Sequence, residues 1–310
     1  MQALRIHEFG APDRAVLQPV ALRDPGPGEA AVRIEAASVN PLDLKILTGA
    51  MQSVFPVELP YTLGTDMSGV VESVGTGVTS VRPGDRVVGR LEPTAGGAFA
   101  EHALVPATAL CVLPPEIPHE QAAALPTAAG TAWQALFKVG QLMPGQRVLI
   151  HAAAGGVGSF AVQLAKRAGA QVVATASARN QALVRDLGAD QVLDYRDAAF
   201  WEGLQGLDLV LDTVGGDTLA RSWQVLGPGG TLLSIVDPNV AARGSSQAQF
   251  VFFRHEPDVL NRVLAAVQTG ELKVVLDSLH PLDRAGAALQ RVAGRHARGK
   301  VIVRPTETGA

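Results

Sequence analysis

The sequence predicts an α/β protein in which a doubly wound parallel sheet follows a β-rich domain. Three observations predict it. From residue 148 to about 238, short apolar runs alternate with helix-period segments, the rhythm of parallel strands joined by crossover helices. A glycine-rich turn, Ala152-Ala153-Ala154-Gly155-Gly156-Val157-Gly158, separates the first of those runs from the first helix. Residues 1 to about 122 keep a different rhythm, of short strand-like runs punctuated by Pro and Gly.

The early strands fall at 30–36, 67–74, 86–88 and 98–105. Turns such as Asp24-Pro25-Gly26-Pro27-Gly28 and Arg82-Pro83-Gly84-Asp85 separate them. Past Pro118 the pattern changes, and 119–125 and 131–139 read as helices. The parallel strands are then 148–150, 172–174, 191–194, 207–212 and 231–235. An amphipathic helix over 257–269 carries Val259, Leu260, Val263, Leu264 and Val267 on one face. The tail returns to short strands at 274–276 and 300–303 around a helix at 283–292. It is too short for a domain of its own and is expected to complete the first one. The expected division is therefore 1–122 with 270–310, and 123–269.

Composition bounds the function. The chain has 310 residues, enough for two domains, with 47% hydrophobic and 18% charged residues. No apolar run approaches the roughly 18 residues of a membrane span. The N-terminus enters a strand pattern directly and does not read as a signal peptide. One cysteine, Cys111, excludes an intrachain disulfide and fits a reducing, cytoplasmic compartment. Net charge is −3 with scattered basic residues, which argues against a nucleic-acid partner. The seven histidines form no H-x-x-x-H pair, so no metal site is expected.

The glycine turn carries the chemistry. Ala153, Gly155 and Gly158 occupy the positions of a G-x-G-x-x-G fingerprint, between a strand and a helix and with a second strand beyond. Gly155 would let the backbone approach a pyrophosphate, and Gly158 would let the helix pack close to its strand. The turn residues Ala154, Gly155, Gly156 and Val157 are candidate cofactor contacts. An acid about 20 positions on would grip the ribose 2′-hydroxyl of NAD. Here the second strand runs into Ser177-Ala178-Arg179, with no carboxylate. Ser177 and Arg179 can instead hold a 2′-phosphate, which predicts NADPH. A solvated arginine at a helix start is the plainer reading of Arg179.

Further motifs carry a resemblance. They are Val39-Asn40-Pro41-Leu42-Asp43, Leu63-Gly64-Thr65-Asp66, Val81-Arg82-Pro83-Gly84-Asp85, Leu125-Pro126 with Gly130-Thr131-Ala132-Trp133, Leu187-Gly188-Ala189-Asp190 with Asp194-Tyr195-Arg196, Asp212-Thr213-Val214-Gly215-Gly216, and Gly299-Lys300-Val301. Through them the chain resembles, over nearly its full length, the zinc-independent medium-chain dehydrogenases/reductases of the quinone oxidoreductase type. The resemblance implies a GroES-like β domain plus a Rossmann domain, and a homodimer. Zinc members of that superfamily use a Cys and a Gly-His-Glu segment. Here Ser38-Val39-Asn40-Pro41 and Gly64-Thr65-Asp66 stand in those places.

The implied reaction is NADPH-dependent reduction of a quinone or an α,β-unsaturated carbonyl compound, which needs a donor at a carbonyl oxygen but no metal. Asn40 and Lys45 are the candidate donors, with Tyr61 as a third. Asn40 could equally be an Asx-turn residue before Pro41, and Lys45 an exposed helix lysine. Thr131 is implied at the carboxamide, Tyr195 at the 2′-phosphate pocket, and Val214 and Ile235 along the cofactor. Phe250, Phe252 and Phe253, expected in a loop, are candidate substrate walls or ordinary core. Two alternatives remain: an enoyl-thioester reductase, or a protein that binds NADPH without turnover.

Overall fold

The computed structural model describes residues 1–305. In chain order, β1 (Gln2–Ile6) pairs antiparallel with β2 (Val16–Pro19). Then follow β3 (Glu29–Val39) and α1 (Pro41–Leu47), β4 (Tyr61–Thr62), β5 (Asp66–Val74), β6 (Arg86–Arg90), β7 (His102–Pro106) and β8 (Leu110–Val112). Helices α2 (His119–Ala123) and α3 (Pro126–Trp133) come next, and α3 runs on into a π-helical segment, Gln134–Val139. The alternating part is β9 (Arg147–Ile150), α4 (Gly156–Arg167), β10 (Gln171–Ala176), α5 (Gln181–Asp186), β11 (Gln191–Asp194), β12 (Leu207–Asp212), α6 (Gly216–Ser222), β13 (Leu226–Ser234) and β14 (Gln247–Phe250). Helix α7 (Pro257–Gln268), β15 (Leu276–Pro281), α8 (Ala285–Ala293) and β16 (Lys300–Arg304) complete the described chain.

Two compact units result, Met1–Thr127 with the chain from His255 onward, and Ala128–Arg254. The division falls at 127/128 and 254/255 rather than at the expected 122/123 and 269/270. Helix α7 thereby joins the first unit. It lies against β8, where the Cys111 thiol donates to the Pro257 carbonyl at 3.5 Å, and it buries Val259, Leu260, Val263 and Leu264.

In the first unit the sheet order is β15-β16-β3-β5-β6-β8, with β7 also on β3. The long strand β3 is its spine. A separate three-stranded sheet, β2-β1-β4, packs in the same core, built on Ile6, Ile34, Leu47, Leu63, Met67 and Phe99. Residues 98–100, expected as the start of a strand, instead run beside β1 and β4 through Phe99 backbone hydrogen bonds to Leu4 and Leu63.

The second unit is a six-stranded parallel sheet of order β11-β10-β9-β12-β13-β14. The order reverses between β9 and β12, the switch point where such sheets bind ligands beyond their carboxyl ends. Phe250 closes the edge strand β14 and so lies in the sheet, not in the expected loop.

His151, at the end of β9, is 1% exposed, and its ring nitrogens sit 3.2 Å from Thr175 Oγ1 and 3.0 Å from Ser222 Oγ. Burial pulls its pKa down from 6.5 to about 4. The unfolded chain therefore takes up this proton first as pH falls. No cost arises above pH 6.5, stability drops between 6.5 and 4, and it levels off below. The difference corresponds to about 3 kcal/mol. Denaturant titrations across that window should show the parent losing this much relative to His151→Gln. Parallel curves would contradict the burial argument.

Candidate active site

In the second unit, the turn after β9 is shaped for a close neighbour. Gly155 caps α4 in extended conformation, and a Cβ there would have only the Ala152 carbonyl nearby, at 3.2 Å. Gly158 is required for packing, because a Cβ would lie 2.4 Å from the Ala152 oxygen and 2.7 Å from Ala153 Cα. The N–H groups of the first turn of α4 have no partner within the helix and point out of its start. Gly156 and Val157 supply two of them. This donor set suits a pyrophosphate.

The other candidates follow the same sheet edge. Ser177 and Arg179 lie beyond β10, Tyr195 beyond β11, Val214 beyond β12 and Ile235 beyond β13. Thr213 Oγ1 donates to the His151 carbonyl at 2.9 Å and ties the loops on either side of the switch point. The carboxylate of Asp212 accepts from the N–H groups of Val214 and Gly215, at 3.0 and 2.9 Å, and fixes the second of those loops. Thr131 is buried on α3.

One carboxylate near the Ser177 turn escapes a reading of consecutive residues. Asp194 pairs with Ala176 across the sheet and accepts from the Ala178 N–H at 3.1 Å. Its charge is already matched. Arg196 bonds it through Nε and Nη2 at 3.1 and 2.8 Å and, with the backbone N–H groups, holds its pKa down at about 2. Arg179 makes no ion pair among the described residues. Tyr195 is 50% exposed.

In the first unit, Asn40 stands where β3 meets α1. Pro41 suits the first helical position and holds Asn40 in extended conformation, φ −118 and ψ 153. The Asn40 N–H donates to Asp43 Oδ2 at 2.7 Å, half of a capping box. The side chain does something else. Its Nδ2 donates to Asp66 Oδ2 at 3.0 Å, and its Oδ1 accepts from Lys300 Nζ at 2.5 Å.

Asp66 also accepts from Thr127 twice, N–H at 3.1 Å and Oγ1 at 2.6 Å, and lies 3.9 Å from Arg90 Nε. Asp43 is buried, its Oδ1 has no partner, and burial first, then the Asp66 charge, pushes its pKa up to about 7. Burial lowers the Lys300 pKa.

The remaining candidates separate from this cluster. Lys45 is exposed on α1. Tyr61 is buried, but its hydroxyl donates to the Pro93 carbonyl at 2.7 Å, and burial raises its pKa. The three phenylalanines do not form one wall. Phe250 and Phe252 have ring centroids 6.4 Å apart, whereas Phe253 lies against the backbone of Gly130. The adjoining backbone is held by Gln134, whose amide donates to the Arg254 carbonyl at 2.6 Å and accepts its N–H at 3.2 Å. Nothing in the sequence pattern singles out Gln134, Lys300 or Asp194 for these roles.

Comparison with known proteins decides the family. Family models described as alcohol dehydrogenase GroES-like domain and zinc-binding dehydrogenase match residues 26–115 and 187–303. A quinone-oxidoreductase homolog, chloroplastic, of Spinacia oleracea is 35% identical over 98% of both chains. The chain belongs to the quinone oxidoreductase family.

The mitochondrial NAD(P)H oxidoreductase RTN4IP1 of Homo sapiens is 33% identical, over 89% of this chain and 82% of that protein. The solved Escherichia coli quinone oxidoreductase complexed with NADPH superposes with a TM-score of 0.87 at 28% identity, over 98% of this chain and all of that one. The chain is thus an oxidoreductase of an NAD(P)H-dependent family, with a GroES-like domain and a parallel-sheet nucleotide-binding domain. No helix among the described residues is long and apolar enough to cross a membrane.

The zinc of the matched family description does not suit the residues present. The buried groups around Asn40 include its own amide and the Lys300 ammonium bonded to it. The carboxylate of Asp66 is already engaged by Asn40, Thr127 and Arg90. A tetrahedral zinc site draws on Cys, His and carboxylate donors, and no group of three or more such residues that could hold a metal occurs among the described residues.

Proposed function

We propose that the protein reduces quinones or α,β-unsaturated carbonyl compounds with NADPH, without a metal. The observation that carries this reading is Asn40, an amide held between an ammonium and a carboxylate with one Nδ2 hydrogen left to donate. NADPH, when bound, supplies the hydride. The N–H groups at the start of α4 bind its pyrophosphate, Ser177 and Arg179 bind the 2′-phosphate, and Thr131 orients the carboxamide. Asn40 Nδ2 donates to the substrate carbonyl oxygen, where negative charge grows as the β-carbon is reduced. Water delivers the final proton. Lys45 is the second candidate donor.

The free Arg179 and the neutralised Asp194 support NADPH over NADH. The single buried cysteine supports a reducing, cytoplasmic compartment. A homodimer is part of the proposal. The outer edge of β14, unpaired among the described strands, supports it.

The test is NADPH consumption with a 1,4-quinone, an enone, an enoyl-CoA and a saturated ketone. Turnover is expected with the quinone or the enone and none with the saturated ketone. Preference for the enoyl-CoA would replace the substrate class, and no turnover with any acceptor would leave a binding protein. Protein purified without added metal should contain no stoichiometric zinc, and a chelator should leave activity intact. One tightly held zinc per chain would overturn the metal-free reading.

A further inference from the structure

Lys300 and Asn40 are 260 residues apart in sequence, and the fold makes them neighbours. Strand β16 pairs antiparallel with β3, placing Val301 opposite Val39. Lys300 begins β16 because Gly299 precedes it. Gly299 has φ +84, and a Cβ there would lie 2.1 Å from the Val275 carbonyl. The chain can make this close pass only with glycine, and the Lys300 N–H then bonds Val275 at 2.9 Å. The Lys300 ammonium, 4% exposed as a residue, reaches the Val39 carbonyl at 3.1 Å and Asn40 Oδ1 at 2.5 Å.

A buried lysine is costly unless its charge is matched and its hydrogens are bonded. Here the Asp66 carboxylate supplies the opposite charge. The ammonium can only donate and the carboxylate of Asp66 can only accept, so they do not meet the Asn40 amide equivalently. Only one orientation of the amide satisfies both, with Oδ1 toward Lys300 and Nδ2 toward Asp66. Asp66 cannot swing away, because Thr127 grips both its oxygens.

We infer that Lys300 and Asp66 are positioning residues, which lock the Asn40 amide in one orientation and leave a single Nδ2 hydrogen to serve the substrate oxygen. The inference rests on Asn40 as the donor of the proposed reaction. It adds that the polarity of this donor is set by a pair that touches no substrate.

A double-mutant cycle on kcat tests it. Lys300→Met should lower kcat about tenfold or more in the parent, and less than about twofold in an Asn40→Ala background, since residues acting as a unit are non-additive. Equal fold losses in both backgrounds would overturn the inference. Asp66→Asn, which preserves volume, gives the same cycle should Lys300→Met fail to fold.

A second readout needs no activity. The chain has four asparagines, Asn40, Asn180, Asn239 and Asn261. With 15N-asparagine labelling, the Asn40 side-chain pair is the one lost in Asn40→Ala. That pair should shift in Lys300→Met or Asp66→Asn while those of Asn180, Asn239 and Asn261 stay. An unmoved Asn40 pair would overturn the inference, even if the parent proved inactive and the proposed reaction fell with it.

Discussion

Replacing Asn40 by alanine is expected to lower kcat with the best quinone or enone about 10²-fold, the usual scale for losing one preorganised donor to an oxyanion. The effect should fall on kcat more than on KM. The carbonyl oxygen is a modest acceptor in the ground state and gains negative charge only as the β-carbon is reduced, so the donor matters most in the transition state. NADPH affinity should be unchanged, because the groups proposed to bind the cofactor all belong to the second unit. Stopped-flow or steady-state kinetics with a fixed, saturating NADPH concentration measure this. If Asn40→Ala keeps the parental kcat and Lys45→Ala loses it, the exposed lysine on α1 is the donor instead. If both keep it, neither residue is.

Arg179→Ala is expected to weaken NADPH binding about 10–150-fold, the equivalent of a charge-assisted hydrogen bond of roughly 1.5–3 kcal/mol. NADH binding should barely change, because NADH lacks the phosphate that Arg179 would meet. Asp194 does not cancel this preference. Although it lies beside the Ser177 turn, Arg196 already pairs with it at 2.8 Å. Releasing that carboxylate should move affinity the same way, so Arg196→Ala is expected to weaken NADPH binding as well. Calorimetric titration of both cofactors separates these outcomes. Equal affinity of the parent for NADPH and NADH would remove the basis of the prediction.

The nucleotide-binding unit was legible because its signals are local. The glycine turn, the helix after it and the apolar runs at 148–150, 172–174, 191–194 and 207–212 are each written in a few consecutive residues, and the structure places strands at all four. Strand β14 was missed because Gln247-Ala248-Gln249-Phe250 is half polar. It earns its strand pairing from β13 rather than from its own composition. Helix α7 was legible as a helix, but no feature of an amphipathic face says which domain will cover it. Around Asn40 the limit is sharper. Its neighbour Pro41 suggests a local Asx-turn, whereas the structure makes Asn40 the cap of α1 and turns its amide elsewhere. The partners of its amide, Asp66 and Lys300, come from distant strands and are fixed by sheet register, which local pattern does not encode. The same holds for Asp194 beside Ala176.

The most direct test of the central claim follows the hydrogen itself. NADPH carrying deuterium at C4 of the nicotinamide is incubated with the enzyme and an α,β-unsaturated ketone, and the product is read by NMR. Reduction of an activated double bond predicts a saturated ketone with deuterium on the β-carbon and a solvent-derived hydrogen on the α-carbon. Deuterium on the carbinol carbon of an allylic alcohol would mean direct carbonyl reduction, and would contradict the account.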